Sequence, residues 1–296
     1  MSLQEWVEII EVGPRDGLQR ETTIISTADK LRMINALVAA GVRSIQVTSF
    51  VHPRYVPQMA DAEVVCAGLD RRSGVIYSGL VLNLKGLERA IAAGLTHVDM
   101  SISASDAHSR KNANMGRDDA LAHFTQMVQK AHAHNLYVRA GIQCAFGFLE
   151  PDVTQELVLD IARTYMTLGI DELSLSDSTG MANPRQVKDM LHQLKPIVGD
   201  VPVTLHLHDT RGMGLANVVA ALDAGCRRFD TAFGGMGGCN FIPEALGNIP
   251  TEDTVHMLHE MGYQTSVDIR KVADASRMLQ GLITQALPGK LYKLSM

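Results

Sequence analysis

The chain has 296 residues, 46% hydrophobic and 20% charged, with a formal net charge of −5 and a pI near 6.1. That length builds a large core in one large domain or two ordinary ones, and the acidic balance argues against a nucleic-acid partner, which selects a basic face. No apolar run approaches the roughly 18–20 residues of a membrane span, and the opening MSLQEWVE has neither the basic nor the apolar region of a signal peptide.

In chain order, short apolar runs predict strands at 7–12, 43–48, 75–82, 96–102, 136–143, 170–176, 202–207 and 227–232. Amphipathic stretches between them predict helices near 27–40, 56–68, 84–93, 117–134, 154–168, 184–198 and 213–224, with more helix at 243–262 and 267–283. The segments AAGVRS, AAGLTH, TLGIDE and DAGCRR each put Gly just past a helix, where a left-handed residue is wanted, and a strand follows at once. Repeated helix–Gly–strand junctions mark βα units on a parallel sheet. Eight of them fit an α/β fold of the (β/α)8 TIM-barrel type. The alternative, an open doubly wound sheet, lacks a GxGxxG after the first strand. With no linker or low-complexity break, one domain is expected over 1–296: a barrel at about 7–240 and C-terminal helices at about 243–290 packed on it.

A barrel places its chemistry at the C-terminal ends of its strands. Arg15 and Asp16 follow the first predicted strand, and Gln46, Thr48 and Ser49 end the second. Asp177 follows the sixth, and His206, His208 and Asp209 end the seventh in TLHLHDT. On a strand, His206 and His208 face the same side, toward the barrel axis. Two inward imidazoles beside Asp16 favour a metal site over a pair of satisfied core histidines. Its imidazole and carboxylate donors, without thiolate, suit Mg2+ or Mn2+ better than structural zinc. Asn248 offers a further hard oxygen. The glycine-rich GGMGGCNF, residues 234–241, is either a flexible loop with an incidental thiol or a lid delivering Cys239. In SASDAHSRKNANMG, Arg110 and Lys111 either decorate an ordinary loop or face a phosphorylated ligand. Cys66, Cys144, Cys226 and Cys239 form no CxxC pattern and are expected as free thiols in a reducing cytoplasm.

Together VGPRDGLQ, TSFVHPRYVPQM, SLSDSTG, LHLHDTRGMGLAN, GGMGGC and GNIPTEDTV resemble the 3-hydroxy-3-methylglutaryl-CoA lyase family of DRE-type TIM-barrel metallolyases, from about residue 7 to 275. The resemblance implies retro-Claisen cleavage of a 3-hydroxy-3-methylacyl-CoA to acetyl-CoA and a keto acid. By motif, Asp16, His206, His208 and Asn248 would hold the divalent cation, and Arg15 would face the enolate. Cys239 would move the proton to the acetyl carbanion, and His206 would assist the hydroxyl proton. Gln19, Ser49, Asp177, Arg110 and Lys111 would bind the acyl-CoA. The family also implies a homodimer joined through barrel helices. One position departs from it: the strand-2 motif carries Glu, and here IQVTSF places Gln46. Gln keeps the shape but neither carries charge nor accepts a proton. Glu244, close by in sequence to Cys239, is the candidate to compensate. Gln46 also leaves open a lyase for a citramalyl-CoA-like or longer-branched substrate, a condensing synthase running the same step in reverse, and a non-catalytic barrel that binds CoA esters.

Overall fold

Eight parallel strands close into a barrel in sequence order in the computed structural model, which describes residues 5–71, 74–238 and 247–295. They are β1 (Glu8–Glu11), β2 (Ser44–Ser49), β3 (Ile76–Val81), β4 (His97–Ser103), β5 (Tyr137–Gln143), β6 (Glu172–Asp177), β7 (Val203–Leu207) and β8 (Arg228–Thr231). Pairing of β1 with β8, Glu8 opposite Arg228 and Glu11 opposite Thr231, closes the ring. The expected TIM barrel is the fold, and every predicted strand is present within two residues at either end.

The helices are α1 (Thr27–Ala39), α2 (Ala62–Ala67), α3 (Leu84–Ala92), α4 (Asp106–Ala113), α5 (Arg117–Ala133), α6 (Gln155–Thr167), α7 (Pro184–Val198), α8 (Gly214–Asp223), α9 (Thr251–Glu260) and α10 (Ile269–Gln280). Three differ from the sequence expectation. The helix expected over 56–68 is split, because Pro57 opens a separate 3-10 turn, Pro57–Met59, before α2. The stretch read as a loop after β4 contains α4: the Ser105 hydroxyl accepts the His108 amide at 3.1 Å, and Asn114 at φ 55° ends the helix. Of the helix expected over 243–262, residues 243–246 lie outside the described residues, 247–250 are not helical, and α9 begins at Thr251. Residues 247–250 are instead drawn against the barrel mouth, where Asn248 bridges to His208 and Pro250 to Ala232. Pro250 then serves as the N-cap position of α9.

Apolar side chains fill the layer between strands and helices. Phe124 of α5 stacks on Tyr165 of α6 at 4.4 Å, and the Tyr165 hydroxyl donates to the Gly141 carbonyl, tying α6 to β5. At the N-terminal end of the barrel, Arg228 pairs with Glu8 and Glu172, and Thr204 donates to Glu172. That end is therefore closed by paired charge, and the opposite mouth carries the candidate chemistry.

The helix–Gly–strand junctions differ in what they tolerate. Gly41 sits at φ +91°, and a Cβ there would lie 2.0 Å from the Ser266 carbonyl oxygen; Gly169, at φ +70°, has open space around it. Gly169→Ala is expected to cost about 1–2 kcal/mol, the backbone penalty alone. Gly41→Ala is expected to cost clearly more, because backbone must move. Urea unfolding of both variants checks this, and equal losses would contradict the role assigned to Ser266.

Candidate active site and metal centre

The chain leaves β1 through a single turn of π-helix, Gly13–Gly17, that presents Arg15 and Asp16 side by side at the mouth. The Val12 carbonyl accepts both their amides, at 3.1 and 2.7 Å. Arg15 donates through Nη1 to Asp16 Oδ1 at 2.5 Å and through Nε to Gln46 Oε1. Gln46 lies on β2 beside an irregularity in the β2–β3 register between Gln46 and Thr48, a feature that re-aims side chains near sites. Asp16 also accepts from Gln19 Nε2 at 3.2 Å and Asn248 Nδ2 at 2.8 Å. Burial works against its charge, but Arg15, then His206 and His208, outweigh burial and hold the carboxyl down at about 2.

His206 and His208, from the end of β7, complete the group. Among the described residues, Asp16, His206 and His208 form a buried cluster whose ligand atoms all lie within 4.8 Å of one another. The two Nε2 atoms face each other at 3.0 Å, and His206 Nε2 is 4.0 Å from Asp16 Oδ2. Octahedral donors at about 2.0–2.1 Å from an ion sit about 3 Å apart when adjacent, so the spacing suits one cation. Asn248 supplies an independent sign: among the described residues its buried Oδ1 has no hydrogen-bond partner, while its Nδ2 is spent on Asp16 and the Met236 carbonyl. A buried amide oxygen kept free beside two imidazoles and a carboxylate fits a hard divalent ion.

Two buried acids outside the sequence-predicted set brace this mouth. Glu11, the last residue of β1, accepts from the amides of Gly13 (2.7 Å) and Phe233 (3.1 Å) and from the Thr251 hydroxyl (2.7 Å). Glu252 accepts from the Gly234 amide at 3.0 Å and the Ser276 hydroxyl at 2.9 Å. They tie the Arg15–Asp16 turn to the start of the glycine-rich segment. Desolvation pushes Glu11 up to about 8 and Glu252 to about 7, against the lowering effect of those hydrogen bonds. Their sequence signal was an acid inside otherwise buried runs, VEIIEV and TEDTV.

The remaining predicted residues fall into separate surroundings. Ser49 is fully buried at the end of β2, and its hydroxyl has no hydrogen-bond partner among the described residues. Asp177 at the end of β6 accepts the amides of Met181 (3.0 Å) and Ala182 (3.1 Å), and burial raises it to about 6. Arg110 and Lys111 are on α4, paired with Asp106 at 2.7 Å and Glu150 at 3.2 Å. Cys66, Cys144 and Cys226 are buried and form no disulfide among the described residues, and burial raises Cys66 and Cys226 to about 11. Cys239 and Glu244 lie outside the described residues.

Comparison with known proteins gives one answer. The HMGL-like family model matches residues 6–279. A hydroxymethylglutaryl-CoA lyase of Bacillus subtilis, YngG, is 42% identical over 285 residues, 96% of this chain and 95% of its own length. The mitochondrial hydroxymethylglutaryl-CoA lyase of Mus musculus is 40% identical over 293 residues, 98% of this chain and 88% of its own. Among solved structures, a Bacillus subtilis HMG-CoA lyase superposes with TM-score 0.94 at 41% identity, covering 99% of both chains. An Acinetobacter baumannii HMG-CoA lyase in complex with coenzyme A and 3-methylmalate superposes with TM-score 0.94 at 39% identity, over 99% of this chain and 96% of that one.

The two bracing acids set a pH dependence. In the unfolded chain they ionise near 4.5, whereas folded they hold their protons to about 8 and about 7. Their contribution to stability is complete below about 4.5 and is lost as pH rises toward 8. Glu252→Gln removes its share, so the stability gap between parent and variant should narrow from about pH 4.5 to 7. Urea unfolding across that range measures the gap, and a gap independent of pH would contradict the assignment.

Proposed function

The chain belongs to the HMGL-like family of metal-dependent carbon–carbon lyases, and from that premise we propose that it cleaves 3-hydroxy-3-methylglutaryl-CoA to acetyl-CoA and acetoacetate. The observation that carries the reading is the Asp16–His206–His208 cluster, with the free Asn248 oxygen and the Arg15 guanidinium beside it. The coenzyme A held by the Acinetobacter relative supports an acyl-CoA ligand.

In this proposal Asp16, His206, His208 and Asn248 hold the cation, and their nitrogen and oxygen donors favour Mg2+ or Mn2+. When bound, such an ion lowers the pKa of a coordinated substrate hydroxyl. In the cleavage the hydroxyl passes its proton to solvent water as C3 becomes a carbonyl, the C2–C3 bond breaks, and its bonding pair passes to C2 as the enolate of acetyl-CoA. Arg15, fixed on two sides by Asp16 and Gln46, keeps further N–H donors for the charge growing on the thioester oxygen. Cys239 is the proposed donor of the proton that the enolate takes up. His206, as a ligand, is better suited to placing the hydroxyl than to acting as a free base. Gln19, Ser49 and Asp177 are assigned to the acyl end, and Arg110 and Lys111 to the coenzyme phosphates. A homodimer in the cytoplasm completes the reading; among the described residues, no helix is long and apolar enough to cross a membrane.

Gln46 favours a second reading. Its Oε1 accepts from Arg15, yet it contributes no negative charge, so the pocket holds one charge fewer than a Glu would give. That supports a related 3-hydroxyacyl-CoA, such as a citramalyl-CoA-like ester, as substrate.

Incubation of the purified protein with Mn2+ and 3-hydroxy-3-methylglutaryl-CoA, followed by mass spectrometry, is expected to yield acetyl-CoA and acetoacetate, and a chelator should stop it. Arg15→Met should lower kcat about 10²–10³-fold. Turnover of citramalyl-CoA alone, with cleavage of the glutaryl ester gained by Gln46→Glu, would replace the first reading with the second.

A further inference from the structure

We propose that Asp230, gripped by Arg139, is a positioning residue that fixes His206 as the Nδ1–H tautomer and turns its Nε2 lone pair toward Asp16, His208 and Asn248. The proposal rests on the reading that this cluster binds a divalent cation. Asp230 was absent from the sequence-predicted site.

Three buried charged groups run through the barrel interior toward His206. Asp99 of β4 accepts from Arg139 Nε, Arg139 of β5 donates through Nη1 to Asp230 Oδ1 at 2.6 Å, and Asp230 Oδ2 of β8 lies 3.0 Å from His206 Nδ1. The strands β5 and β8 are not neighbours in the ring, so Arg139 reaches across the interior. All four side chains are buried. The Arg139 guanidinium, 2.6 Å from Asp230 Oδ1, pairs with this group as a carboxylate. An ionised carboxylate only accepts, so Nδ1 must donate, and a neutral imidazole then carries its lone pair on Nε2. Carboxylates behind ligating histidines set tautomer and ring orientation in this way.

The two ends of the Asp230 carboxylate have different neighbours, and this makes the proposal sharp. Arg139 can only donate. In Asp230→Asn, the single amide oxygen therefore goes to Arg139, and the amide N–H₂ faces His206 Nδ1. That nitrogen must become the acceptor, the proton moves to Nε2, and His206 loses its outward lone pair without any change in side-chain size.

The test is long-range ¹H–¹⁵N NMR of histidine-labelled, metal-free protein in mildly alkaline buffer, with His206 assigned from a His206→Gln spectrum. The parent should show Nδ1 protonated and Nε2 bare, and Asp230→Asn the reverse. Mn2+ titration followed by EPR should then show a dissociation constant raised about 10–100-fold in Asp230→Asn. A parent with the proton on Nε2 would overturn the proposal even if the variant failed to fold. So would a folded Asp230→Asn that keeps Nδ1–H. A tautomer switch with unchanged Mn2+ affinity would support the Asp230 assignment and overturn the ligand set it was read with.

Discussion

Charge buried at the axis of a barrel has to be neutralised by other buried charge, and the site is built around that constraint. Removing one partner of a buried pair leaves an uncompensated ion and typically costs about 3–5 kcal/mol. The interior answers with alternating signs: Asp99, Arg139 and Asp230 lead to His206, and on the far side of the cluster Asp16 is matched by Arg15. These residues come from β4, β5, β8, β7 and the turn after β1. Strand pairing alone would tolerate a slipped register, whereas a slip here would strand several charges in a dry interior.

The same constraint shapes the backbone at the mouth. Turns that carry Arg15, Asp16 and the start of the glycine-rich segment expose amides that secondary structure does not use. Glu11 and Glu252 accept those amides from beneath, at Gly13, Phe233 and Gly234. A site on loops thereby gains the rigidity of strands, which a metal centre with fixed donor spacing requires. The pairing of Asn248 with His208 serves the same end, bringing a residue from beyond β8 onto the group formed at β1 and β7.

Much of this was legible in the residues. The period-2 pattern of TLHLHD put both imidazoles on one side, and the helix–Gly–strand junctions predicted the closed ring that places them beside Asp16. What escaped were groups whose partners are distant in sequence. Asp99 and Arg139 each read as one isolated charge in a strand, and Asp230 as an acid after two arginines; only closure of the barrel shows that they meet. A parallel strand buried on both faces has no reason to carry an unpaired charge in its interior, so the acid or arginine inside THVDMSI, LYVRAGIQ and RRFDTA was itself a signal. Helix α4 was missed for a local reason: its hydrogen-bonding side chains favour turns as readily as caps. Gln46 was visible as a departure, but its engagement by Arg15 required the fold.

The account stands or falls on two imidazole nitrogens and a carboxylate converging on one ion. Electron–nuclear double resonance of the Mn2+-loaded protein, with ¹⁵N in histidine only, counts those nitrogens directly. Two inequivalent ¹⁵N couplings, reduced to one in His208→Ala, are the expected result. No ¹⁵N coupling, with Mn2+ bound at full stoichiometry, would place the ion elsewhere and contradict the site described.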